Sequence, residues 1–146
     1  MNPLNPINPA VSLVLEHTLE GTLGVEPIEL TADRVVARLP VSDRIRQPYG
    51  AVHGGAIMAM AEGLASMGTL RGIDYPAEVC FGQEINGSLL RTVFDGHIEA
   101  TATVLHRGRT TWVWDVRALD SEGQLVAVVR CSIAVRPNRK HVPDQP

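Results

Sequence analysis

Glu62 sits inside the apolar run Ala56-Ile57-Met58-Ala59-Met60-Ala61-Glu62-Gly63-Leu64-Ala65. A carboxylate in such surroundings costs free energy unless something requires it there. Just before the run stands Gln47-Pro48-Tyr49-Gly50-Ala51-Val52-His53-Gly54-Gly55, which reads as a tight turn opening onto a helix N-terminus. A helix N-terminus gathers unpaired N–H groups and partial positive charge, so it can hold an oxyanion. An oxyanion site and an oddly placed carboxylate on one helix point to chemistry. The plainer alternative is that Gly54-Gly55 only starts the helix and that Glu62 points to solvent from an imperfectly buried face.

Helix geometry constrains the first reading. Gly55 and Glu62 lie nearly on one face but about 10 Å apart along the axis, so Glu62 cannot act on a group bound at its own helix N-terminus. A neighbouring antiparallel copy of the helix would bring Glu62 of one chain beside Gly55 of the other. If the helix is catalytic, the active unit is a symmetric dimer with two equivalent sites. Ser66 is one turn beyond Glu62 on the same face and can hydrogen-bond its carboxylate or a nearby water. Ala56, Met58, Ala59, Met60, Ala61, Leu64, Ala65 and Met67 leave Glu62 little polar company, and the small residues permit close helix approach.

The elements that must position these groups follow from pattern. The Asn-Pro repeats of residues 1–9 read as a flexible lead-in, with Asn8 as a cap and Pro9 at the first position of a helix. That helix, carrying Val11, Leu13, Val14, Leu15 and Leu19, ends at Gly21 or Gly24. Strands are expected over 23–31 and 34–41, joined at Thr31-Ala32-Asp33. The long apolar helix runs from about His53 to Arg71 and ends near Gly72. Strands over 77–90, 96–106, 110–120 and 124–136 follow, and the polar tail 137–146 is expected to be mobile. Trp112 and Trp114 alternate with Val113 across the two faces of their strand. Consecutive strands with short turns imply an α+β domain over 10–136, a largely antiparallel sheet with the buried helix against its concave face.

Composition narrows the class. The chain has 146 residues, enough for one domain with a real core, and its 45% apolar and 20% charged content is ordinary for a soluble globular protein. Aromatics at 4% and a net charge of −3 argue against a nucleic-acid partner, which would call for stacking platforms or a basic footprint. Cys80 and Cys131 show no CxxC spacing and suit free thiols in a reducing compartment. The longest apolar run is interrupted by Glu62 and too short to span a bilayer comfortably. With no signal-peptide pattern, the expected location is cytoplasmic, with no membrane partner. His17, His97 and His141 share no motif, and His53 with His106 lacks metal-ligand spacing.

Gln-Pro-Tyr-Gly-x-x-His-Gly-Gly followed by Ala-Glu-x-x-x-Ser resembles the hotdog-fold acyl-CoA thioesterases, of the 4-hydroxybenzoyl-CoA and 1,4-dihydroxy-2-naphthoyl-CoA hydrolase types. The likeness extends through Gly82-Gln83-Glu84-Ile85-Asn86 and His106-Arg107-Gly108-Arg109, covering roughly residues 20–136. It implies a hotdog fold, an antiparallel sheet wrapped around a long central helix, with active sites at a dimer interface and dimers paired into a homotetramer. It implies hydrolysis of an aromatic or medium-chain acyl-CoA to free acid and coenzyme A, with no metal and no cofactor beyond the coenzyme A of the substrate. By the same resemblance Glu62 is nucleophile or general base, the Gly55 amide polarises the carbonyl, and the Gln47 amide approaches the thioester. His53 stands beside the reacting group, and Ser66 supports the carboxylate or the water. The regions around Leu89, Leu90 and Arg91, and around His106, Arg107, Gly108, Arg109 and Thr110, with Arg136, are implied to contact coenzyme A. Arginine suits phosphate, and Gly82 and Gly108 would allow close approach of the pantetheine arm or nucleotide. Relatives often carry a histidine where Leu89-Leu90 stand, so a more apolar environment is expected there. A hotdog hydratase or dehydratase, and a non-catalytic acyl-CoA-binding module, are the alternative readings.

Overall fold

A computed structural model describes residues 16–140; the lead-in over 1–9, the Asn8–Pro9 cap and the tail from 141 onward lie outside the described residues. The first described helix, α1 (Leu19–Leu23), starts where the expected helix was to be finishing. Thr18 is its N-cap, its hydroxyl accepting from the Gly21 N–H, and Gly24 closes it at φ 83°. A side-chain acceptor at Thr18 satisfies an otherwise orphaned N–H, so a helix starts there.

Strands β1 (Glu26–Leu30) and β2 (Arg34–Pro40) form a hairpin. The Thr31 hydroxyl holds its turn by accepting from the Asp33 and Arg34 N–H groups. A short 3₁₀ turn (Asp43–Ile45) leads to α2 (Gly54–Gly72), then β3 (Glu78–Leu89), β4 (His97–Arg107), β5 (Thr111–Asp120) and β6 (Leu125–Pro137). The expected bounds for α2 and the last four strands agree to within a residue or so. Order extends past the expected boundary at 136, since β6 reaches Pro137 and the Asn138 N–H donates to the Ala77 carbonyl.

The six strands make one antiparallel sheet in the order β1-β2-β4-β5-β6-β3. It curves around α2 in the hotdog arrangement. Alternate residues of the central strands face the helix: Val35, Ala37 and Leu39; Ile98, Ala100 and Ala102; Trp112, Trp114, Val116 and Ala118. Both tryptophans are therefore on the helix side, stacked with ring centroids 6.3 Å apart. Inside, the Trp114 Nε1–H donates to the Thr69 hydroxyl, which donates in turn to the Ala65 carbonyl, each at 2.9 Å. That pairing makes a fully buried threonine tolerable.

Burial of α2 on most sides explains its largely apolar composition, and its glycines explain the closeness of packing. A Cβ at Gly68 would meet Trp114 at 2.4 Å, and one at Gly72 would meet Trp112 at 2.3 Å. A stripe through Gly55, Met58, Ala59, Glu62 and Ser66 stays partly open, continuing through Met67 and Leu70 toward the C-terminal end. Beside its Glu62 portion runs β3, an edge strand exposed from Phe81 to Leu89.

Candidate active site

The anticipated residues fall into three groups. The first surrounds the N-terminus of α2. His53 is the N-cap, and its Nδ1 accepts the Gly55 N–H at 2.8 Å. An unprotonated Nδ1 is therefore the form that caps the helix, and the Gly55 donor is held by a neighbour. Gln47 belongs to the preceding turn, its N–H donating to the Ala51 carbonyl at 2.8 Å. Its side-chain carbonyl accepts the Tyr49 N–H, which leaves the NH2 end for another acceptor. Gln47, Ala51, Val52, Gly54, Ile57, Leu89, Leu90, Arg91 and Thr92 line a groove of about 300 Å³. Leu89 lies against Gly54, where a Cβ would stand 2.2 Å from its Cδ1.

Arg46 holds this turn in place and carries no sequence signal of doing so. Its Nη1 donates to the Gly50 and Phe94 carbonyls, each at 2.6 Å, and its Nε pairs with Asp43. Phe94 follows Arg46 by 48 residues, a separation at which spacing says nothing.

The second group is Glu62, Ser66 and Gly82. The Ser66 hydroxyl donates to Glu62 Oε1 at 2.7 Å, as one helical turn of spacing suggested. Gly82 of β3 lies directly against the same carboxylate. Cys80, two residues earlier on β3, donates its thiol to the Ser66 carbonyl at 3.5 Å. Burial pushes the Cys80 thiol up to about 11, and the Glu62 charge adds to the rise. Cys131 on β6 is pushed to about 12 by the same two causes in the same order. Neither cysteine is a thiolate nucleophile at neutral pH.

The third group lies at the β4–β5 turn, beside the C-terminal end of α2, where Trp112 meets Gly72. Arg107 donates to the Ala32 carbonyl, pairs with Asp33 and stacks on Trp112 at 4.9 Å. Arg136 donates to the Thr110 and Val135 carbonyls at 2.9 and 2.8 Å. The side chains of Arg91 and Arg109 are exposed and make no hydrogen bond or ion pair among the described residues. The glycines differ from their anticipated use: the space over Gly82 is filled by Glu62, and that over Gly108 by His106 and the Thr111 carbonyl.

The structure thus brings Gln47, His53, Gly55 and residues 89–92 together, and separately joins Glu62 to Ser66 and Gly82. Residues 106–110 lie toward the opposite end of α2, whose 19 residues span about 28 Å. One chain does not gather the three groups into a single cleft.

Comparison with known proteins identifies the family. The family model described as "Thioesterase superfamily" matches residues 49–127. The chain is 37% identical to a 1,4-dihydroxy-2-naphthoyl-CoA hydrolase of Listeria monocytogenes, over 84% of this chain and 98% of that protein. It is 36% identical to the proofreading thioesterase EntH of Cronobacter turicensis, over 86% and 88% respectively. A solved glutamine-to-alanine mutant of thioesterase PA1618 from Pseudomonas aeruginosa superposes with a TM-score of 0.85 at 31% identity, covering 93% of this chain and 98% of that one. The chain belongs to the thioesterase superfamily and is a thioester hydrolase.

Proposed function

We propose that the protein hydrolyses an aromatic or medium-chain acyl-CoA to the free acid and coenzyme A at two equivalent sites of a homodimer. The Ser66-anchored carboxylate of Glu62 carries this reading: it is a partly open, oriented carboxylate two turns from a glycine-rich helix N-terminus. In each site Gly55 and Gln47 of one subunit face the thioester carbonyl, and Glu62 of the partner subunit supplies the nucleophile or general base. The acyl–sulfur bond breaks, water supplies the hydroxyl of the acid, and its proton goes to the coenzyme A thiolate. For the Gly55 N–H to meet the carbonyl oxygen, His53 must yield it or share it. No metal or cofactor is invoked, because a thioester already carries a good leaving group and an oxyanion donor with a carboxylate suffices.

The long β3 edge supports the dimer. Phe81, Ile85 and Leu89 are 61%, 41% and 51% exposed along it, and proteins generally cover an edge of that length and character. Antiparallel pairing there would set each α2 beside its partner's and bring residues 106–110 of one chain toward Arg91 of the other. Of the four arginines the resemblance implies, Arg91 and Arg109 have side chains without a partner among the described residues and are the two left for coenzyme A phosphates. Pairing of dimers gives the tetramer implied by the resemblance. No helix among the described residues is long and apolar enough to cross a membrane, and two free thiols suit a reducing, cytoplasmic setting.

Steady-state rates over aromatic and medium-chain acyl-CoAs, for the natural protein and Glu62→Gln, test the proposal. The expected result is a fall in kcat of at least about 1,000-fold, with the fold and oligomer retained. Turnover in Glu62→Gln equal to the natural protein would remove Glu62 from the mechanism.

A further inference from the structure

We infer that Gly82 is a positioning residue that, together with Ser66, determines which oxygen of Glu62 reacts: Oε1 is held by the protein and Oε2 is delivered to the thioester or the attacking water. The inference rests on the reading of Glu62 as the reacting carboxylate and adds to it an atom and a second residue.

Strand β3 is irregular at this point. Gly82 pairs with Ile133 and Glu84 with Ser132, so Gln83 is an extra residue bulged out of the ladder. Bulges of this kind re-aim the backbone beside functional sites. Here the bulge presents a bare Cα to the open stripe of α2. A Cβ at residue 82 would stand 2.5 Å from Glu62 Oε1, 3.0 Å from its Cδ and 3.1 Å from its Cγ. All three nearest atoms belong to Glu62, and Oε1 is the oxygen that also accepts the Ser66 hydroxyl at 2.7 Å. That oxygen is therefore seated between a hydroxyl on its own helix and a glycine on the neighbouring strand. Oε2 makes no hydrogen bond among the described residues.

The same geometry separates folding from catalysis. The atoms a new methyl would strike are the far end of a flexible side chain, so the protein can accommodate alanine at 82 by moving the carboxylate and little else. Ordinary contact would require Oε1 to retreat by about 0.9 Å, out of the seat in which Ser66 holds it. A displacement near 1 Å of a reacting group costs about 100-fold in rate.

The test compares Gly82→Ala, Glu62→Gln and the double variant with the natural protein, using the acyl-CoA turned over fastest. Gly82→Ala is expected to lower kcat about 100-fold with KM within a few-fold and melting temperature and oligomeric state unchanged. In the Glu62→Gln background the same substitution is expected to cost nothing further, a pattern that general loosening of the fold would not give. A natural protein that hydrolyses no acyl-CoA, or a fully active Glu62→Gln, overturns the functional reading and this inference with it. An inactive Glu62→Gln beside a Gly82→Ala of natural kcat overturns the inference alone. Should Gly82→Ala lose the oligomer, a crystal structure of the natural protein with a nonhydrolysable thioester analogue decides. Oε2 facing the carbonyl carbon or its water, with Oε1 still on Ser66, supports the inference; Oε1 facing the carbonyl overturns it.

Discussion

Removing the Ser66 hydroxyl should impair turnover without impairing binding, and the size of the effect can be worked from one contact. The Ser66 Oγ–Glu62 Oε1 hydrogen bond is 2.7 Å long and has a carboxylate as acceptor. Hydrogen bonds to charged groups contribute about 1.5–3 kcal/mol, and each 1.36 kcal/mol is about tenfold in rate. Both residues are only half-buried, so water can replace part of what is lost, and the lower half of that range applies. Ser66→Ala should therefore reduce kcat about 13- to 45-fold, leave KM within about twofold, and shift melting temperature little. Ser66→Thr, which keeps the hydroxyl, should recover most of the loss. A coloured thiol reagent that follows release of coenzyme A serves as the assay, because the lowered acidity of Cys80 and Cys131 keeps the protein's own thiols slow to react near neutral pH. A Ser66→Ala enzyme with natural kcat, or a loss confined to KM, would refute the idea that Ser66 orients the carboxylate.

Two further outcomes concern stability. Thr69→Val strands the Trp114 indole N–H in the core by removing its acceptor, which should cost about 1–3 kcal/mol in urea unfolding at fixed protein concentration; a loss below about 0.5 kcal/mol would place it among inconsequential substitutions. The cysteines predict a loss of stability in alkali. Their thiols ionise near 9.0 when unfolded but at about 11 and 12 when folded, so above pH 9 the unfolded chain binds fewer protons and stability falls as pH rises toward 11. A Cys80→Ala, Cys131→Ala protein should show a shallower decline than the natural one over that window. Equal slopes would assign the alkaline loss to other groups.

Much of this molecule is legible in local spacing. The cap at His53, the extent of α2 and the one-turn relation of Ser66 to Glu62 depend on residues within a few positions of each other, where helical period governs. The strands past residue 77 are bounded by turn residues and alternate in polarity, so their limits also follow from neighbours. Even the proposal of a site shared between two subunits starts from the rise per residue between Gly55 and Glu62. At the start of the chain this logic is less complete: the apolar spacing through Leu19 favours a helix running through Thr18 to Gly21 or Gly24, whereas Thr18 caps a helix that begins at Leu19 and closes at Gly24.

Other features depend on which strand lies beside which, and periodicity is silent about that. Strand β3 crosses to the far edge and pairs with β6, which begins at Leu125, and only that arrangement sets Gly82 against Glu62. The arginines divide for the same reason: Arg107 finds Ala32 and Asp33, and Arg136 finds Thr110, across distances in sequence that no motif spans. The amino-acid sequence by itself determined a helix with an oriented carboxylate and a glycine-rich N-terminus, because those are one-dimensional facts of helical repeat. Tertiary structure alone decided that the glycine on a distant strand seats one oxygen of that carboxylate, because sheet order is set by long-range burial of faces and not by the residues at either contact.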